Sequence, residues 1–364
     1  MEHKAYLSSQ IITYIGNKRA LGEFILSAVE QVKRQLGREK LAMGDLFSGS
    51  GIVSRMLKGH ASYLAVNDFE GYCRTISRCY LSNSSQRDIP LLQQAYRQVL
   101  EGIDGGLREG FIAELYAPAD DTQIRPGERV FYTRRNACYL DTARQEIEKL
   151  PEELRHFFIA PLLSEASVKA NTSGVFKGFY KNSHTGIGQF GGDRRNALSR
   201  ICADISLPFP VFSRYDCPVD IFCQDAGTLP AVLPPLDLVY LDPPYNQHPY
   251  GSNYFMLNLL DTYCRPEKLS RVSGIPEGWQ RSDYNKSRRS LEALRQLCGS
   301  LNARYLLISF NSEGFISRQE MEQMLQDIGQ VQVLEQQYNT FRGSRNLRQR
   351  EIHVKEYLFL VRKG

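Results

Sequence analysis

The short apolar run Leu236–Leu241 stops abruptly at Asp242-Pro243-Pro244-Tyr245. Two successive prolines have no backbone N–H to donate, so a sheet ladder through 236–241 must end there. The pattern predicts a buried strand of an open α/β sheet, ending in a stiff acidic bend. The Asp242 carboxylate, the Pro243 carbonyl and the Tyr245 ring then project beyond the strand's carboxyl end, where such sheets place ligands. This set suits a planar base with an exocyclic amino group. The amine lone pair is delocalised into the ring, and two acceptors for its N–H bonds direct that pair out of the plane toward an electrophile. Tyr245 is placed to stack on the base. The competing reading is strand-to-turn punctuation with a surface tyrosine.

Two more strand ends carry similar signals. Residues 41–45 run into Leu46-Phe47-Ser48-Gly49-Ser50-Gly51, and then Ile52, Val53, Met56 and Leu57 recur at helical spacing. A strand entering a Gly-Ser-Gly turn before a helix is the nucleotide-cradling unit of doubly wound sheets. The dinucleotide fingerprint is incomplete because Ser54 follows Gly49-x-Gly51, and no Gly-Lys-Ser/Thr follows for a phosphate loop. These departures predict a ligand without a pyrophosphate. Tyr63-Leu64-Ala65-Val66 ends at Asn67-Asp68, an acid able to accept both hydroxyls of a ribose or, alternatively, to cap a helix. Nearer the N-terminus, Tyr14-Ile15-Gly16-Asn17-Lys18 enters a helical pattern with Leu21, Phe24, Ile25, Ala28, Val29 and Val32 on one face. Its free backbone N–H groups, beside Lys18, suit a carboxylate; a basic helix start is the plainer reading.

Tyr14-x-Gly16-x-Lys18, Asp45-Leu-Phe47-Ser-Gly49-Ser-Gly51, Asn67-Asp68 and Asp242-Pro-Pro-Tyr245, in this order, resemble the alpha-group (Dam-type) DNA adenine-N6 methyltransferases that use S-adenosylmethionine. The resemblance implies a Rossmann-like methyltransferase sheet with helices on both faces. It further implies a catalytic set of Asp242, Pro243, Pro244, Tyr245 and Lys18. The implied cofactor site comprises Tyr14, Gly16, Lys18, Asp45, Phe47, Ser48, Gly49, Ser50, Gly51, Asp68, Asp225 and Asp242. Asp225, at the tip of the strand-like 219–224 stretch, corresponds to the family acid that accepts from the cofactor's adenine amine.

From about 81 to 215 the strand-turn-helix rhythm is lost, which predicts an inserted unit, mainly helix and loop, between two catalytic portions at 1–80 and 216–364. The resemblance makes this insertion the target-recognition domain. A helical stretch opens near Arg134 and Arg135, a second helix spans 152–169, and a Gly-, Lys- and aromatic-rich loop follows. Arg134, Arg135, Lys177, Lys181, Arg194 and Arg195 are the expected DNA contacts here, joined by Arg342, Arg345 and Arg348 of a late arginine-rich loop. Solvated surface loops are the alternative for both regions. The polar stretch at about 265–289, with the sole tryptophan, reads either as a DNA-facing flap or as disorder. Helices at about 253–260, 290–297 and 318–326 and strands at 305–310, 331–334 and 357–361 complete the expected elements.

The 364-residue chain is 42% hydrophobic and 23% charged, with a net charge of +5, an ordinary globular composition compatible with nucleic acid. Its eight cysteines form no C-x-x-C pair, so free thiols are expected and neither a zinc site nor a disulfide framework is. With no membrane-length apolar run, the expectation is a cytoplasmic, prokaryotic or phage protein acting on double-stranded DNA, an orphan methylase or the partner of a restriction endonuclease. The expected reaction is methyl transfer to N6 of an extruded adenine, with no metal. The rivals are an N4-cytosine methyltransferase, an RNA or protein-glutamine methyltransferase, and a non-catalytic DNA-binding protein on the same fold.

Overall fold

The computed structural model describes residues 2–245, 247, 249–312, 314–339 and 353–364. Seven strands form one sheet: β1 (Leu41–Asp45), β2 (Ala61–Asn67), β3 (Val219–Phe222), β4 (Leu236–Leu241), β5 (Ala303–Asn311), β6 (Gly329–Asn339) and β7 (His353–Lys363). Their order is β3-β2-β1-β4-β5-β7-β6. The first five of that order run parallel, while β7 pairs antiparallel with β5 and β6. The winding reverses between β1 and β4, which leaves a crevice beyond their carboxyl ends.

Before the insertion the helices are α1 (Lys4–Ser8), α2 (Gly22–Leu36), α3 (Ile52–Lys58) and α4 (Gly71–Tyr80). Within it lie α5 (Ile89–Asp104), α6 (Phe111–Tyr116), α7 (Arg134–Glu148), α8 (Glu152–Lys169) and α9 (Leu198–Cys202). After it come α10 (Tyr250–Asn253), α11 (Phe255–Thr262), α12 (Ser287–Ser300) and α13 (Arg318–Gln326). Helices cover both faces of the sheet. On one face Leu238 and Tyr240 of β4 meet Ile25 and Val29 of α2 and Val53 and Leu57 of α3. On the other, Val239 and Leu241 join Leu294 of α12 and Met321 of α13. Every residue of β4 is buried, because side chains alternate across a strand and both faces here are covered.

Caps explain why several boundaries fall where the sequence predicts. The Thr133 hydroxyl accepts the Asn136 N–H at the start of α7, and Ser317 with Glu320 makes a reciprocal capping box on α13. The helix expected at 290–297 is longer, and the one expected near 253 is split into α10 and α11. Helix α1 is an addition.

The stretch from 81 to 215 does not close a core by itself. Leu92 and Val99 of α5, Leu140 and Ile147 of α7, and Phe158 and Leu162 of α8 pack in one cluster with Tyr72 and Ile76 of α4 and Met256 and Leu260 of α11. α4 and α11 thus bury side chains against the insertion and fasten it to the sheet. Among the described residues no helix is long and apolar enough to cross a membrane, and the cysteines are free.

Candidate active site

One open cleft of about 880 Å³ lies beyond the carboxyl ends of β1, β2 and β4. After β1, Gly49 and Gly51 both adopt positive φ, at +50° and +75°. A Cβ on Gly49 would come within 2.8 Å of the Tyr14 ring, so this turn tolerates only glycine against that wall. The turn is held to β2 by the Gly49 N–H, which donates to Asp68 at 2.7 Å, and by the Ser48 N–H, which donates to the Asn67 carbonyl at 2.9 Å. The other Asp68 oxygen accepts the Glu70 N–H at 3.0 Å. Burial, only partly offset by these bonds, pushes the Asp68 carboxyl up.

Tyr14, Gly16, Lys18, Phe47, Ser48, Gly49, Ser50, Asp68, Asp225, Asp242, Pro244 and Tyr245 all line this cleft. Gly51, Asp45 and Pro243 do not. Gly51 starts α3, and Pro243 is buried behind the bend. Asp45 has no exposed surface, and its carboxylate accepts the Ser54 hydroxyl of α3. Burial pushes its pKa up to about 7 despite that bond. The geometry therefore makes Asp45 a brace beneath the turn, where the resemblance implied a ligand contact.

Asp242 sits at the tip of β4 with its side chain 17% exposed. The Lys18 ammonium is buried 3.1 Å from Asp242 Oδ1 and 2.9 Å from Glu356 Oε1 of β7. Oδ1 is buried against this ammonium, so the exposed part of the Asp242 side chain lies away from Oδ1. Burial pushes the Asp242 carboxyl up to about 6; Lys18 opposes this and Glu356 adds to it. For Lys18, burial acts downward but Asp242, Tyr245 and Glu356 outweigh it, so the amine is held well above its ordinary range. The Tyr245 ring lies 5.5 Å from this ammonium and packs edge-on against Phe310. Gly16, at φ +74°, allows that ring to approach, since a Cβ there would meet its hydroxyl at 3.0 Å. Tyr14 lies nearly parallel to both Tyr250 and Tyr254, with ring centroids at 4.9 and 4.6 Å, and those two rings are themselves 5.8 Å apart, so the three form one aromatic cluster.

The residues expected to touch DNA divide into two kinds. Arg134 pairs with Glu109 and donates to the Ala113 carbonyl, and Arg135 pairs with Asp204 at 2.9 Å. Both extend from the first turn of α7 into bonds that tie it to neighbouring segments of the insertion. Lys177, Arg194 and Arg195 are exposed, whereas half-buried Lys181 lies over the Phe179 ring. Arg342, Arg345 and Arg348 lie outside the described residues.

The 265–286 stretch is built into the molecule rather than left as a loose loop. A bridge pairs Leu269 with Pro276, the Tyr116 hydroxyl donates to the Gly274 carbonyl, and the Ser273 hydroxyl donates to the Lys177 carbonyl. Its far end brings Gln280, Ser282, Tyr284 and Asn285 to the cleft, with Tyr284 edge-on to Phe47. Sequence reasoning missed these residues, and also Glu70 and Glu356. An available signal for Glu356 was a lone acid directly before the apolar run 357–361; for the others nothing local distinguishes them.

The profile of the D12 class N6 adenine-specific DNA methyltransferases matches residues 14–187 and 215–324. The chain is 27% identical to the type II methyltransferase M.CviAII of Paramecium bursaria Chlorella virus 1, over 96% of this chain and 98% of that one. It is likewise 27% identical to the type II methyltransferase M.NlaIII of Neisseria lactamica, over 97% and 99%. With the type II methyltransferase M.FokI of Planomicrobium okeanokoites it shares 25% identity over 96% of this chain and 52% of that one. With the match covering strands β1 to β5 and most of the insertion, the chain belongs to the family of D12 class N6 adenine-specific DNA methyltransferases.

Proposed function

We propose that this chain methylates N6 of an adenine extruded from a specific duplex DNA sequence, uses S-adenosylmethionine, and serves as the modification enzyme of a type II system. The observation that carries the residue assignment is the position of Asp242: a strand-end carboxylate with Oδ1 buried against Lys18 and the rest of its side chain partly exposed, lining the same cleft as Gly49.

The cleft fits the cofactor. Positive-φ glycines open its floor, the Ser48 hydroxyl is buried without a partner among the described residues, and Asp68 and Asp225 stand at the tips of adjacent strands. Phe47, Ser48, Gly49, Asp68 and Asp225 would hold the nucleoside portion. Bound there, S-adenosylmethionine supplies an activated methyl group. Asp242 accepts an N–H bond from the adenine amine through the carboxylate oxygen that Lys18 does not face, and turns the nitrogen lone pair out of the ring plane. Tyr245 stacks on the base, and Pro243, itself buried behind the bend, would take the second N–H bond only through its backbone carbonyl. The amine is paired inside a duplex, so the base must leave the stack, at a cost of a few kcal/mol. Exposed Lys177, Arg194 and Arg195 offset this by gripping phosphates. The ionised carboxylate is the stronger acceptor, so activity falls as the pH drops through about 6, where Asp242 protonates.

The test is transfer of a labelled methyl group to DNA by purified protein, with the modified positions mapped by sequencing. Asp242→Ala is expected to lower kcat by about 10³-fold or more while cofactor still binds. An unaltered rate in this variant removes the assignment of Asp242.

A further inference from the structure

Glu356 is a fully buried carboxylate that the reaction as described does not use. It sits on β7, the antiparallel neighbour of β5, with Oε1 receiving the Ser309 hydroxyl of β5 at 2.6 Å and facing Lys18 at 2.9 Å. Its Oε2 has no hydrogen-bond partner among the described residues. Such a group destabilises a fold unless a cation compensates it. The cation present is Lys18, which Asp242 also claims. One ammonium therefore lies between two carboxyl groups.

We propose that Glu356 is a positioning residue for methyl transfer: it shares Lys18 with Asp242 and so keeps the ammonium off the Asp242 oxygen that accepts from the substrate amine. This rests on Asp242 being the amine acceptor. Without the second carboxylate, Lys18 would close onto Asp242 as a neutral pair. Its N–H donors would then fill the acceptor that the base needs. The same substitution removes a negative charge that raises the Asp242 carboxyl, so Asp242 would ionise at lower pH. The groups facing Asp242 are Lys18, Glu356, Asp45, Tyr240, Tyr245 and Tyr250, and of the carboxylates Glu356 alone reaches Lys18 directly.

The experiment compares Glu356→Gln, Glu356→Asp, Lys18→Met and the double variant Lys18→Met/Glu356→Gln in the full chain. At saturating DNA and cofactor, Glu356→Gln is expected to lower kcat about tenfold, with KM values within about twofold. The acid limb of its kcat profile moves to lower pH than in the wild type, and Glu356→Asp recovers part of the rate. A second readout needs no turnover: the melting temperature without cofactor. Lys18→Met strands two adjacent buried carboxylates, so adding Glu356→Gln to it should raise the melting temperature. If Glu356 only braces β5 through Ser309, the double variant instead melts lower than Lys18→Met and the acid limb of Glu356→Gln stays in place; that outcome overturns the proposal. Continued transfer by Asp242→Ala would instead fault the assignment of Asp242, and the melting comparison would still report whether Glu356 and Lys18 act as a pair.

Discussion

Lys18 and Lys58 are both buried lysines, yet their surroundings make them opposite kinds of group. The Lys58 ammonium donates to two backbone carbonyls, Leu81 at 2.8 Å and Ser82 at 2.7 Å. Carbonyl dipoles satisfy its donors but contribute no formal charge, and burial pulls its pKa down to about 8. Lys18, between two carboxylates, is held well above its ordinary range. A buried cation facing backbone fastens the chain at the end of α4. One facing carboxylates at a strand tip sets the charge available to a ligand.

The sharpest contrast comes from removing each ammonium. Lys18→Met should reduce kcat by about 10²-fold or more at neutral pH, since Asp242 and Glu356 then repel each other and one of them takes up a proton. Lys58→Met should leave kcat per folded molecule near the wild-type value but lower stability by about 1–3 kcal/mol for the stranded carbonyls, measured by denaturant unfolding. A large kcat loss in Lys58→Met would erase the distinction. Next in size is Gly49→Ala, whose Cβ would meet the Tyr14 ring at 2.8 Å in a left-handed backbone. Its affinity for the cofactor, read by calorimetry, should fall about tenfold with little change in kcat at saturation.

The smallest effects are pH slopes. Asp242 has a folded pKa of about 6, above its unfolded value, so the folded protein binds more protons between about pH 4 and 6 and loses stability as the pH rises through that window. Asp242→Asn should flatten this part of the melting curve. Lys58 has a folded pKa of about 8, below its unfolded value, so the unfolded chain holds the extra proton above pH 8. Stability from this group rises with pH from about 8 toward 10, and Lys58→Met should remove that increment alone.

The sequence made legible whatever depends on neighbours along the chain. The run through 236–241 and its acidic bend follow from apolar patterning and proline chemistry, and α8 and α13 begin and end where the sequence places them. What it hid depends on partners far away. Arg134 and Arg135 read as DNA contacts in the sequence, and nothing along the chain shows that the fold brings Glu109 and Asp204 beside them. Glu356 lies 338 positions from Lys18 along the chain, and only the pairing of β5 with β7 brings it behind the active site. Tyr284 reaches the cleft because the 265–286 stretch is pinned at its other end to the insertion.

That pinning constrains how new sequence preferences can be made in this scaffold. One segment touches both the loop around Lys177 and the floor near Phe47, so a graft that replaces only the loop would leave Ser273 and Tyr284 answering to a neighbour no longer there. Chimeras that exchange 171–196 together with 265–286 should keep their grip on the nucleoside, whereas those that exchange the loop alone should lose it in proportion to how far the new backbone departs from the Ser273 hydroxyl.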